Sequence, residues 1–350
     1  MIGRGFFLAL LFLFALALPT LAADTVPEAA DETAAAAAPS PAAEPAATPA
    51  PSFTSTMHGS ASAALIDLST RIDTFFVDPN IDETFNRTRL RLRGGVDYSK
   101  SDGLSFLPRL SLNFDLPRTR RRFNLFFTRD QAEEEEKAST ILGTGGEDEL
   151  KFNLRSGLRY IISQSPSHNL QWSIGSKLVP EVEPFTELRG NLIIPLDNWL
   201  FRPTQFLFWR ENEKFGETTR LDFDYPVGKT ARVRWRFEGT FSQSSDGFNT
   251  LVETSYARQF KMQRGFQMAL RTQSRTRPDH DVVVYQATID WRQLIYQDWL
   301  FFEAGTRLSF PEDDDYMVDP AVSVVLEVNF GNFSRPQASE RQRQADPVAP

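Results

Sequence analysis

From Thr84 to Phe330 the chain alternates apolar and polar positions with a period of two. In "NRTRLRLRGGVDY" (86–98), Arg87, Arg89, Arg91 and Arg93 take every second position, with Leu90, Leu92, Val96 and Tyr98 between them. "LSFLPRLSLNFDL" (104–116) sets Leu104, Phe106, Leu110, Leu112 and Phe114 against Arg109, Asn113 and Asp115. "KFNLRSGLRYI" (151–161) opposes Phe152, Leu154, Leu158 and Tyr160 to Arg155 and Arg159. "ARVRWRFEGTF" (231–241) repeats the opening pattern with Val233, Trp235 and Phe237 against Arg232, Arg234, Arg236 and Glu238. A period of two is the signature of a strand whose two faces meet different surroundings.

Such runs predict about fourteen strands, within bounds of about twelve and sixteen, separated by turn residues. Pro108 and Pro203 fall inside two of them and weaken those two, because proline donates nothing to a ladder. The connections alternate in length. "DLPRTRR", "PLDN", "PVGKT" and "KMQRG" are short, "RDQAEEEEKASTILGTGGEDE" is long, and "RENEKFGE", "QSSDGFN" and "PEDDDYM" are intermediate. Hairpins crossing a membrane produce that alternation, with the short turns on the periplasmic side.

The polar face is charged in mid-strand, mostly by arginine. An arginine turned to lipid at the midplane costs about 2–4 kcal/mol. Four of them on one strand would cost about 10 kcal/mol, as much as a domain's whole stability. The arginines therefore face an aqueous or salt-bridged interior and the leucines face lipid. Tyr98, Tyr160, Trp199, Trp209, Tyr225, Tyr256, Trp291 and Trp299 lie on the apolar face, mostly near strand ends, as in an aromatic girdle. The predicted fold is all-β, an antiparallel up-and-down transmembrane barrel. By register the inward basic residues are Arg87, Arg89, Arg91, Arg93, Arg109, Arg155, Arg159, Arg232, Arg234 and Arg236. The inward acids are Asp97, Asp115, Glu187, Asp222, Asp224, Glu238, Asp290 and Glu303. Over all inward positions the bases outnumber the acids by about two to one, which gives a lumen of net positive sign.

The barrel does not begin the chain. "MIGRG", the apolar run Phe6 to Leu18 and then "PTLAA" have the order of a secretory signal, over residues 1–23. Residues 24–52 are Ala- and Pro-rich with a few acids, a disordered spacer by composition. Within 53–80, Ala61, Ala64, Leu65, Leu68, Ile72, Phe75 and Phe76 recur at helical spacing from Ser60 to Phe76, with Asp67, Arg71 and Asp73 elsewhere on the wheel. A helix packed at the barrel mouth is the preferred reading, and a plug or docking helix the sharper one. Residues 84–330 are the barrel and 331–350 a polar tail left in the periplasm.

The net charge of −8 argues against nucleic acid as a partner, and the absence of cysteine removes disulfides, thiolate metal sites and a lipoprotein anchor. No pattern calls for a metal or a cofactor. His58, His168 and His280 lie off the predicted strands, with no inward serine beside them, so the chain is not expected to be an enzyme. A lipid hydrolase at the membrane rim is the weakest of the readings.

In these features the sequence resembles the bacterial outer-membrane β-barrel class. "VSVVLEVNF" (322–330), with Val322, Val324, Leu326, Val328 and Phe330 on one face, looks like the C-terminal assembly signal which that class presents to its insertion machinery. It departs from the class in carrying a tail after the aromatic. "RPTQFLFWRENEKFGETTRLDFD" (202–224) is similar to a proteobacterial barrel family to which no activity attaches. The resemblance implies a place in the cell outer membrane, with its lipids and the insertion machinery as partners. Two functions fit: a porin-like channel whose basic lumen favours small anionic solutes, or a structural, partner-binding envelope protein with a filled barrel.

Overall fold

The computed structural model describes residues 53–76, 89–106, 109–115, 123–129, 154–178, 182–245, 247–260, 263–277, 280–297 and 299–331. The signal, the spacer, the tail beyond residue 331, the long connection 130–153 and Arg87 lie outside the described residues.

Helix α1 (Phe53–Phe76) precedes the first strand. The strands are β1 (Arg89–Ser99), β2 (Gly103–Phe106), β3 (Arg109–Asp115), β4 (Phe123–Arg129), β5 (Leu154–Gln164), β6 (His168–Lys177), β7 (Glu183–Leu192) and β8 (Ile194–Leu196). They continue as β9 (Trp199–Arg210), β10 (Lys214–Val227), β11 (Ala231–Ser242), β12 (Phe248–Phe260), β13 (Arg264–Arg275), β14 (Asp281–Tyr296), β15 (Leu300–Pro311) and β16 (Asp319–Gly331).

Segments β2 and β3 make one stave against β1, and β7 and β8 one stave against β9, so the ring has fourteen staves. It closes between β16 and β1, where Arg89 faces Gly331 and Ser99 faces Ala321 in one unbroken register. Closure leaves no sheet edge to satisfy, the condition for spanning lipid with strands.

One of the two proline positions coincides with a ladder break. Pro203 stays inside β9, paired with Leu221 of β10. On its other side the pairing lapses between Asn191↔Thr204 and Ile194↔Phe201, where β7 gives way to β8. The missing N–H explains that break. Pro108 lies in the gap between β2 and β3, outside the described residues.

The alternation of long and short connections is weaker than expected. β9 and β10 run on until only residues 211–213 separate them, and β1 reaches β2 through residues 100–102. Strand pairing extends into segments that composition marks as loops. At the other end Gly228 makes the tight turn between β10 and β11 with φ of 69°, a conformation that disfavours a Cβ.

The two faces separate as the parity requires. Leu270, Ile289, Val322, Val324 and Phe330 are exposed on the outside, whereas Arg234, Arg271, Arg292, Glu303 and Glu327 are buried on the inside. Aromatic rings gather around the rim at the end where the barrel's chain begins and ends. Trp199 packs at a tilt on Tyr225 at 5.0 Å and on Trp235 at 5.3 Å, and Tyr296 meets Trp299 edge-on at 5.4 Å. Tyr160, against Phe123 at 4.8 Å, sits deeper in its strand than a girdle position. A closed ring with an apolar outside and a charged inside is a membrane-spanning barrel.

Candidate functional site: the charged lumen and its helix

Of the seven residues of α1 expected on the apolar wheel, those that are buried share their face with a polar residue that was not expected there. Leu65, Leu68, Ile72 and Phe75 are buried, but Ala64 is exposed and Asp73 is buried at 1 %. The helix lies against the inner wall at the mouth. Leu68 and Ile72 form an apolar cluster with the inward Ala257 of β12, joined by Phe76. Gly265 of β13 is bare where Phe75 and Phe76 approach; a Cβ there would meet both rings at 2.9 Å. Small inward residues thus make room for the helix on β12 and β13. Phe75 also meets the inward Phe301 edge-on at 6.4 Å.

Asp73 is the polar centre of this contact. It accepts from Arg202 Nη1 at 2.9 Å, Arg232 Nη1 at 2.5 Å and Arg234 Nη2 at 2.8 and 2.9 Å. One turn earlier, Ser69 donates to Asp224 at 2.5 Å and accepts from Arg232 at 3.0 Å. Arg71 donates to the Lys229 carbonyl in the β10–β11 turn at 2.7 Å. That turn is at the end where the barrel's chain begins and ends, so α1 enters the lumen there. By the rule that short turns and termini are periplasmic, this is the periplasmic mouth.

Arg232, Arg234 and Arg236 do share one inward parity, and they are paired. Arg234 Nε donates to Asp224 at 2.6 Å and Arg236 Nε to Asp222 at 2.7 Å, across the β10–β11 register that sets each arginine beside its acid. Glu238 takes Arg220 Nε at 2.5 Å. A second network closes the barrel between β14, β15, β16 and β1. Glu327 lies 3.5 Å from Arg91, 3.4 Å from Arg93 and 2.7 Å from Arg292, and Glu303 bridges Arg93 and Arg292. Asp97 lies 3.8 Å from Arg307, and Asp290 is buried beside Gly305, whose Cβ would strike it. Arg155 lies 3.8 Å from Glu187 and stacks on Phe185 at 3.9 Å; Arg159 bonds Ser173 and stacks on Phe126. Arg89, Arg109 and Asp115 take their places in the ladder by backbone register.

The expected two-to-one excess of inward bases does not appear among the buried described residues, which hold ten arginines and nine carboxylates. Four of these nine carboxylates were not among the acids expected from the sequence: Asp73, Glu253, Asp319 and Glu327. Glu253 and Glu327 stand at inward parity and were there to be found; Glu327 was passed over because its neighbours read as an outward assembly signal. Six buried arginines were also not named from the sequence: Arg189, Arg202, Arg220, Arg271, Arg292 and Arg307.

Toward the outer end the lumen holds a cavity of about 910 Å3. Its lining comes from almost the whole ring, from Ser101 and Arg155 to Ser309 and Asp319. Four basic side chains line it (Arg155, Lys177, Arg189, Arg210) against seven acids (Asp102, Glu183, Glu187, Glu213, Glu238, Asp313, Asp319). The vestibule is thus acid-rich, and the arginine cluster sits at the opposite end beneath the helix.

Of the histidines, His168 opens β6 and does meet serines: Ser163 at 2.8 Å on Nε2 and Ser165 at 2.7 Å on Nδ1. Both bonds span the β5–β6 turn, and no carboxylate joins them among the described contacts. His280 is exposed at the start of β14. His58 lies on α1.

Two surfaces now fix what the molecule is. It is an outer-membrane β-barrel. An apolar exterior with aromatic rims, a polar interior and a closed even ring of antiparallel staves are the properties of that class. No protein-family model matches the chain, and no curated relative does. Among solved structures it is similar to the outer-membrane channel DcaP of Acinetobacter baumannii, at 11 % identity over 69 % of this chain and 96 % of that one, TM-score 0.44. An anion-selective porin from Comamonas acidovorans matches at 8 % identity over 69 % and 98 %, TM-score 0.44. A loop-deletion form of OmpT, an outer-membrane protein of Vibrio cholerae, matches at 9 % over 69 % and 98 %, TM-score 0.41. Likenesses this remote add nothing to what the barrel's own surfaces establish.

Proposed function

We propose that the barrel is a channel for small hydrophilic solutes, held shut at its periplasmic mouth by α1. The observation that carries this reading is the pairing of an outer vestibule of about 910 Å3 with a helix seated in the opposite mouth. A vestibule of that size is as large as a small-molecule site. A helix whose buried aspartate binds three wall arginines is more than a chance neighbour of the rim. The anion preference expected from the sequence belongs, in this reading, to the opened channel, because Arg202, Arg232 and Arg234 then face the path. The insertion machinery and surface lipids are its partners during assembly.

The filled structural barrel remains a second reading, favoured by the network of Arg93, Arg292, Glu303 and Glu327, which crowds the wall on the β14–β1 side. Single-channel recording in a planar bilayer separates the two. The full-length barrel should be silent or nearly so, and deletion of residues 53–80 should open it. Silence in both forms, with assembly intact, would leave the structural reading.

A further inference from the structure

The Asp73 contact has the form of an occupied anion site. Three guanidiniums from two strands converge on one carboxylate, and Asp224 on the strand between holds them in place. Arg234 gives its Nε to Asp224 at 2.6 Å and its Nη2 to both oxygens of Asp73. Arg202 reaches Asp224 with Nη2 at 2.7 Å and Asp73 with Nη1 at 2.9 Å. The forks of Arg202 and Arg234 are thus pre-set on the wall, with Arg232 3.8 Å from the same Asp224, which lowers the cost of capturing a planar or tetrahedral oxyanion. Of the neighbouring acids, Asp222 is engaged by Arg236. If Asp73 leaves, Asp224 alone stays between these three arginines, a balance suited to a dianion.

Besides Asp73, α1 is held by Ser69 on Asp224 and Arg232, by Arg71 on the Lys229 carbonyl and by Leu68, Ile72, Phe75 and Phe76 packed on the wall. Arg232 serves both Asp73 and Ser69, so a competitor for the arginines would remove most of the charged and part of the polar hold on α1.

We propose that Arg202, Arg232 and Arg234 form an oxyanion seat which Asp73 fills as an internal stand-in, and that a small phosphate or dicarboxylate dianion competes for it and releases the helix. This rests on the closed-channel reading, but its test needs no current. The chain has no cysteine, so Leu68→Cys creates a single buried thiol on the helix. In folded full-length protein, inorganic phosphate should speed maleimide labelling of that thiol several-fold. Chloride at equal ionic strength should not. Equal acceleration by both salts means screening alone and overturns the proposal, as does no acceleration by either.

A direct binding measurement runs in parallel. Gly265→Ala, on the same full chain, crowds Phe75 and Phe76 of the helix from β13, away from the three arginines on β9 and β11. By titration calorimetry it should bind inorganic phosphate several-fold more tightly than the parent, and adding Arg234→Gln should abolish that gain. Phosphate binding that is the same in the parent and in Gly265→Ala, or that survives Arg234→Gln, would also overturn it. Because neither arm depends on conduction, a barrel that stays silent without residues 53–80, together with a phosphate-responsive helix in the full chain, would sink the channel reading and keep the seat.

Discussion

Arg234 Nη2 donates to both carboxylate oxygens of Asp73, at 2.8 and 2.9 Å, across 161 positions of sequence. This pair ties the segment that precedes the barrel to the inside of its wall. Removing one partner of a buried ion pair costs about 3–5 kcal/mol, because the other charge stays behind without it. Asp73→Ala in the full chain should therefore loosen α1 and give openings in single-channel recordings like those of the 53–80 deletion. A barrel that conducts after the deletion, yet stays shut with Asp73→Ala, would show that the apolar contact alone holds the helix.

Once opened, the channel should favour chloride over potassium at its reversal potential. The reason is position: Arg202, Arg232 and Arg234 would line a constriction, well within the screening length of about 8 Å at physiological salt. Arg232→Glu with Arg234→Glu in the deletion form should shift the potential toward cations. An unchanged potential would place selectivity in the acid-rich vestibule instead.

Much of this was legible from residue order alone. Strand parity put Arg91, Arg93, Arg155, Arg159, Arg232, Arg234 and Arg236 inside, and all seven are on the inner face. Parity follows from local backbone geometry, so a local pattern can carry it. Partners could not be read in the same way. Which acid meets Arg234 depends on the β10–β11 register and on a helix far earlier in the chain. Asp73 looked like a solvent-facing residue because a helical wheel records angle and not what stands opposite. The size of the lumen's positive excess was overestimated for a related cause. A charge count along strands omits the acid that the helix brings in and the one hidden in "VSVVLEVNF".

The seam of the ring offers a stability test. Glu327 is fully buried on β16 and meets Arg91 and Arg93 on β1 as well as Arg292 on β14. Glu327→Gln keeps the shape and removes the charge that three guanidiniums share. It should lower the temperature at which the folded band is lost in heat-modifiable gels, by an amount corresponding to about 3–5 kcal/mol. No change would mean that Glu303 alone compensates Arg93 and Arg292.

The two faces can be tested against each other. Leu270 is 65 % exposed in mid-strand on the outside of β13. Leu270→Arg should cost about 2–4 kcal/mol by placing a charge in lipid and should reduce the assembled fraction in outer membranes. Arg91→Leu should be tolerated better, since Glu327 keeps Arg93 and Arg292 when Arg91 is gone. Normal assembly of Leu270→Arg beside failure of Arg91→Leu would invert the assignment of inside and outside.

The last strand bears on how the barrel enters the membrane. Val322, Val324, Leu326 and Phe330 are exposed on its outer face, and Phe330 stands opposite Leu90 at the closing seam. The reading of "VSVVLEVNF" as an assembly signal needs that face to be available before the ring closes. Phe330→Ala removes the terminal aromatic while sparing the inward Glu327 and Asn329, so it should slow insertion without lowering the stability of barrels already formed. Deleting 334–350 should leave the insertion rate unchanged, because the ladder ends at Gly331. Pulse-chase appearance of the heat-modifiable band measures both. If Phe330→Ala inserts at the parent's rate and the deletion does not, the signal lies downstream of β16 and the outer face of that strand has no part in recognition.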